Sequence, residues 1–124
     1  MDLGIQGQSL AKESFGYTVS LETDAGFEIC IENIFFLHVP GGDFELSPGE
    51  SNAEAKYLHS LVGQKVTSAT AEKSGALKIA LDNGSYLRVE PDETYEAWTV
   101  AGPSGLKVVC MPGGELAVWS SESK

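Results

Sequence analysis

Two histidines, two cysteines and eighteen carboxylates are the side chains of this 124-residue chain best suited to chemistry. His38 lies in an apolar run and His59 in a candidate helix. Neither belongs to an H-x-x-x-H or C-x-x-C spacing, which would place two metal ligands on one face or loop. No metal site is assigned, and each is expected to be an ordinary surface or core histidine. Cys30 stands between Glu28 and Glu32 on the polar side of its strand. Carboxylates raise a thiol's pKa, and the thiolate is the nucleophile. Cys110 ends the apolar run VVC, where a free thiol packs as a small hydrophobe. Both cysteines are expected to be free, no catalytic residue is assigned and no cofactor is called for.

Two groups of carboxylates remain. Glu22, Glu28 and Glu32 form a candidate acidic strip. Asp92, Glu93 and Glu96 gather beside Tyr95 and Trp98 as a candidate binding rim, since Tyr and Trp are common interface anchors. Core packing is the competing role for Trp98. The glycine clusters Gly41-Gly42, Gly102-Pro103-Ser104-Gly105 and Pro112-Gly113-Gly114 precede no helix, as a phosphate-binding loop must. They read as hairpin turns.

The elements that position these groups are mostly strands. Val19, Leu21 and Thr23 alternate with polar residues, and so do Phe27, Ile29 and Ile31. A three-residue loop, Asp24-Ala25-Gly26, puts both apolar sets on one face, whereas a two-residue loop would divide them. Glu22 then faces Glu28. Leu77–Leu81 and 85–90 form a second hairpin around Asp82-Asn83-Gly84 by the same reasoning, with Lys78 facing Arg88. IFFLHV at 34–39 reads as a strand buried on both faces. In the stretch 64–71, Val66, Ser68 and Thr70 alternate with Lys65, Thr67 and Ala69. Residues 95–119 read as a three-stranded meander in which Trp98 faces Val109 and Cys110 faces Ala97. Ser51 with Glu54 forms a capping box, and Ala55, Leu58, Leu61 and Val62 recur at helical spacing before Gly63. The spacing predicts one helix at about residues 52–62.

The two halves resemble each other. Gly7-Gln8-x-Leu10 corresponds to Gly63-Gln64-x-Val66, each followed by a strand, a loop running from Asp to Gly, and a strand closing on an apolar residue and Glu. Pseudo-repeats at 5–50 and 63–119, joined by the helix within a single domain, are expected. The fold class is mainly β with one helix: about ten short antiparallel strands in a barrel or two-layer arrangement.

YEAW at 95–98, GPSG at 102–105 and VVCMPGGELAVW at 108–119, with LVGQKV at 61–66 and LDNGSYLRVEPD at 81–92, carry a resemblance. The chain resembles a family of small bacterial proteins of unknown function, mainly actinobacterial. The resemblance implies no activity, cofactor or site residues.

A net charge of −10 argues against nucleic acid and anionic membranes as partners. No apolar run is long enough to span a bilayer, and no secretory leader is read, so a cytoplasmic location is expected. Three functional readings follow. The first is a non-enzymatic interaction module, neutralising a basic partner such as a toxin or associating with itself. The second is a small-ligand-binding β-barrel. The third is a carboxylate-based hydrolase using Asp92 and Glu96, which would require two carboxyls in different environments.

Overall fold

The computed structural model describes residues 1–50 and 55–120. Among the described residues eleven strands form two antiparallel sheets in two layers, with no closed barrel. The strands are β1 (Leu10–Phe15), β2 (Val19–Thr23), β3 (Glu28–Ile31), β4 (Phe35–Val39), β5 (Gly42–Leu46), β6 (Val66–Ala71), β7 (Leu77–Leu81), β8 (Tyr86–Val89), β9 (Trp98–Ala101), β10 (Lys107–Cys110) and β11 (Leu116–Trp119). One sheet runs β1-β2-β3-β9-β10-β11 and the other β5-β4-β8-β7-β6. Each sheet therefore combines three strands from one half of the chain with strands from the other. β4–β5 and β9–β11 cross over, so both sheets contain strands of each half.

The segments 7–10 and 63–66 pair with each other reciprocally. Gly7 donates its N–H to the Val66 carbonyl at 2.8 Å, and Gly63 donates to that of Leu10 at 2.7 Å. Leu10 donates to Gln64 at 2.9 Å and Val66 to Gln8 at 2.8 Å. The following hairpins match each other. Asp24 and Asp82 each accept an N–H on Oδ1, from Ser9 and Lys65 respectively, both at 3.1 Å. Gly26 and Gly84 close the loops at φ of +89° and +88°, the left-handed conformation a glycine adopts without cost. Both three-residue loops and their registers are as the alternation required.

Inward rows fill the space between the layers. Val19, Ile31 and Trp98 follow one another across the first sheet, and Leu77, Val89, Phe35 and Leu46 across the second. All seven are buried. Trp98 also ties the layers together. Its indole Nε1–H donates to the Gly75 carbonyl at 2.9 Å, in the turn between β6 and β7. Gly75 in turn lies against Gly114, so closely that a Cβ on either would collide with the backbone of the other's turn.

Several sequence expectations change. The 34–39 run is buried on one face only: Phe35, Leu37 and Val39 point inward, while Ile34 and Phe36 are 49% and 38% exposed. The outer face of β4 is open because nothing described is layered on it. In β6 a bulge between Val66 and Ser68 resets the alternation, so Val66, Ala69 and Ala71 face the core. β1 has a bulge at the matching place, between Leu10 and Lys12. The β9–β10 register is one residue away from that expected, with Val108 opposite Val100 and Val109 opposite Thr99. On its other side β9 pairs with β3, where Ile31 takes Trp98 as its partner.

The helix α1 is described only over Lys56–His59. The Ser51–Glu54 capping box lies outside the described residues. After His59 the chain tightens into i→i+3 turns, Leu61 bonding to Leu58 at 3.1 Å and Val62 to His59 at 3.1 Å. Gly63 must then leave the helical path to pair with Leu10, and it does so at φ +92°. Leu58 and Leu61 are buried, and Tyr57 stacks on Phe44 of β5 with ring centroids 4.5 Å apart. Among the described residues no helix is long and apolar enough to cross a membrane.

The Gly75–Gly114 contact leads to a sharp test. Gly114→Ala combines a left-handed backbone, costing about 1–2 kcal/mol, with a backbone collision worth about 1–3 kcal/mol more. Gly113 has φ +86° with open space around its Cβ position. Gly113→Ala should lose the conformational part alone. Urea unfolding of both variants measures the difference, and equal losses would contradict the close approach.

Candidate functional site

The carboxylates singled out in the sequence are distributed in a way that one dimension concealed. Glu22 and Glu28 do face each other across β2 and β3. The repulsion is moderated on both sides. Lys12 stands opposite Glu22 on β1, and the Ser20 hydroxyl donates to Glu28 Oε2 at 3.1 Å. Glu32 acts with this group on Cys30 and also reaches beyond it. It follows β3, its N–H bonds to the Ala97 carbonyl at 2.8 Å, and its side chain faces the start of β9.

There it meets two of the five residues of the expected rim, Tyr95 and Glu96. Glu32, Tyr95, Glu96, Met111 and Pro112 line an open groove of about 670 Å³. Glu32 comes from the first half of the chain and the other four from the second. Tyr95 is 49% exposed, and both glutamates are at the surface. Trp98 is absent from the groove because it is fully buried; it supports the site from the core. Glu93 is exposed and outside the lining. Met111 and Pro112 were missed in the sequence, where Pro112-Gly113-Gly114 read only as a turn. The available clue was its placement between two strands of the same meander as Tyr95.

Asp92 organises the loop that presents Tyr95 and Glu96. Its carboxylate accepts the Thr94 N–H at 2.9 Å, the Thr94 hydroxyl at 2.8 Å and the Tyr95 N–H at 3.3 Å. The Thr94 backbone bond, then the Thr94 hydroxyl, hold this carboxyl below the usual range. The Asp92 carbonyl also accepts the Gly113 N–H at 2.8 Å, joining the loop to the opposite wall. Beneath that wall, Gly114 rests on Gly75 and Gly75 on Trp98. The groove is thus a preformed feature with charged groups at its mouth and apolar sides.

The remaining candidates are engaged elsewhere. Arg88 forks onto Glu72 at 2.7 and 2.9 Å and reaches Glu90 at 2.6 Å. These bonds lower the Glu72 carboxyl and raise the Arg88 guanidinium. Lys78 faces Arg88 as expected, with its ammonium 4.8 Å from the Tyr86 ring centre. His38 Nδ1 is 2.5 Å from Asp43, and its ring stacks on Tyr86 at 5.1 Å. His59 Nδ1 lies 3.2 Å from Glu13, whose side chain is turned inward on edge strand β1. Among the described residues no three His, Cys, Asp or Glu side chains gather closely enough to hold a metal ion.

Cys30 is half-buried on the outer face of β3 and Cys110 is buried. Burial raises the Cys30 thiol most, followed by Glu28, Glu32 and Glu22. Burial raises Cys110 too. A raised pKa leaves less thiolate at pH 8. Alkylation of Cys30 by neutral iodoacetamide should therefore be slower than that of a free cysteine peptide. Salt should recover only part of the rate, because it screens the glutamates and leaves burial unchanged. A rate equal to the peptide's would show that neither effect operates.

No curated protein and no solved structure matches the chain. A family model does, over residues 1–120, and it is described as a family of unknown function. The segments that carried the resemblance, from the Leu61–Val66 lead to the Trp119 end, lie within that match, and the chain belongs to this family, Family of unknown function (DUF6188).

Proposed function

We propose that this protein is a non-enzymatic interaction module whose groove receives a lysine or arginine side chain from a basic partner, such as a toxin domain. One observation carries the reading: two carboxylates, Glu32 and Glu96, share an apolar-sided groove with Tyr95, Met111 and Pro112. Long cationic side chains combine an apolar stem with a charged head. The stem suits Met111 and Pro112, and the head suits the glutamates and the face of Tyr95. A net charge of −10 would draw such a partner from a distance.

Magnitudes set the expected strength. An exposed ion pair contributes about 0.2–1 kcal/mol, and an exposed cation–π contact about 0.5–1 kcal/mol. Two such pairs with stem burial reach about 4 kcal/mol, the level of millimolar binding. One side chain thus gives recognition, and tight binding requires the rest of a partner's surface. The groove also has the size of a small-molecule site, so a free organic amine is the second reading.

Titration with a short arginine peptide, followed by amide NMR shifts, tests the proposal. The expected shifts centre on Glu32, Tyr95, Glu96 and Met111. Glu32→Gln with Glu96→Gln should weaken binding about two- to thirtyfold, the roughly 0.4–2 kcal/mol of two exposed ion pairs. A citrulline peptide should not bind. Shifts that follow the Glu22–Glu28 pair, or an affinity that the double substitution leaves unchanged, would sink the reading. Binding of free arginine as tight as the peptide would favour the small-amine alternative.

A further inference from the structure

We propose that β11 is a self-association edge, through which two copies of this chain join their six-stranded sheets with Val118 facing Val118 across a twofold axis. The observation that points there is a contrast among the four sheet edges. An exposed edge strand invites pairing, and proteins block it with charges, inward-pointing ionisable groups or a cover of other chain. β1 carries Lys12 and the inward-turned Glu13. β5 carries Asp43 and Glu45. The β6 edge is covered by the N-terminal segment, with Leu3 donating to the Ala69 carbonyl and Ala71 to that of Met1. β11 reads Leu-Ala-Val-Trp, with no charge. Val118 is 50% exposed and Trp119 53% exposed, on opposite faces.

The fold itself contains a control. β5 and β10 occupy matching places, each next to a strand that crosses over from the other half. The charged β5 is left as an edge. The β10 strand, with the sequence Lys-Val-Val-Cys, is covered by β11. β11 has no counterpart in the other half and is as apolar as the strand it covers. Among the described residues no strand lies beyond it.

The backbone points the same way. Met111 donates to the Glu115 carbonyl at 2.7 Å. Bonded and unbonded pairs alternate along an antiparallel ladder. The bonded pairs between β10 and β11 are therefore Val109–Ala117 and Lys107–Trp119, which turns the N–H and C=O groups of Leu116 and Val118 outward. A twofold axis at Val118 pairs these outward groups. It also sets Trp119 opposite Ala117 of the other copy on the outer face, a large side chain over a small one, twice. This self-complementarity selects a second copy over a foreign strand. With −10 on each copy, association through an apolar edge should strengthen as salt rises, opposite to an interface built on ion pairs.

Sedimentation velocity on the full chain, from micromolar to near-millimolar concentration, tests the edge. The wild type is expected to reach dimer, more readily at high salt. Val118→Pro removes an N–H that β10 does not use, so it should give a monomer with an unchanged circular dichroism spectrum. If the proline variant is unfolded, Val118→Lys serves in its place, adding the charge the strand lacks. A wild type that stays monomeric throughout, dimers that persist in the folded variant, or association that weakens with salt would each overturn the proposal.

Discussion

The contact on which most of this structure depends is the buried indole of Trp98 donating to the Gly75 carbonyl. Trp98 belongs to one sheet, and Gly75 to a turn of the other. The side chain contributes mainly through burial. Removing a buried aromatic costs about 3–5 kcal/mol, whereas leaving a carbonyl without its donor costs about 1–3 kcal/mol. Burial therefore supplies most of the stability, and the hydrogen bond supplies direction. It holds the β6–β7 turn where Gly75 can touch Gly114. Two glycines are required there, since backbone meets backbone with no space for a Cβ. The Met111–Gly114 wall of the groove is positioned by that contact.

The exchange of strands explains why the groove lies where it does. β3 ends and β9 begins at a junction between the halves, with Ile31 opposite Trp98. Just past that pair the two chains diverge, Glu32 on one side and Tyr95 and Glu96 on the other. Neither half could form the groove alone. The acidic mouth thus arises from topology: two carboxylates far apart in sequence become neighbours because their strands are paired. Asp92 is spent on shaping the loop, which accounts for part of the acidity gathered at the entrance to β9.

Much of this was legible in the sequence because alternation and turn chemistry are local. The Asp24–Gly26 and Asp82–Gly84 loops and the Glu22–Glu28 and Lys78–Arg88 pairings all followed from period two and a glycine. What could not be read was long-range. The β9–β10 register differs by one residue from that expected, in a strand that also pairs on its other side with Ile31, sixty-seven residues before Trp98. The β6 face was misassigned because a bulge adds a residue without a sequence mark. IFFLHV looked doubly buried because composition does not show that a sheet face lacks a covering layer. In the candidate site, Tyr95 and Glu96 were singled out from their clustering, and Trp98 takes the core role that competed with a place at the rim. That Glu32 of the acidic strip also reaches Tyr95 and Glu96 was hidden, because the β3–β9 pairing is long-range.

Hydrogen exchange at the two indole N–H groups, resolved in a proton–nitrogen spectrum, tests the central contact most directly. Trp119 is half exposed and acts as an internal reference. The Trp98 indole proton should exchange as slowly as the most protected amides of the β3–β9 ladder, since opening it requires the sheets to part. A Trp98 indole that exchanges as readily as that of Trp119 would show that the two layers are not joined through Gly75.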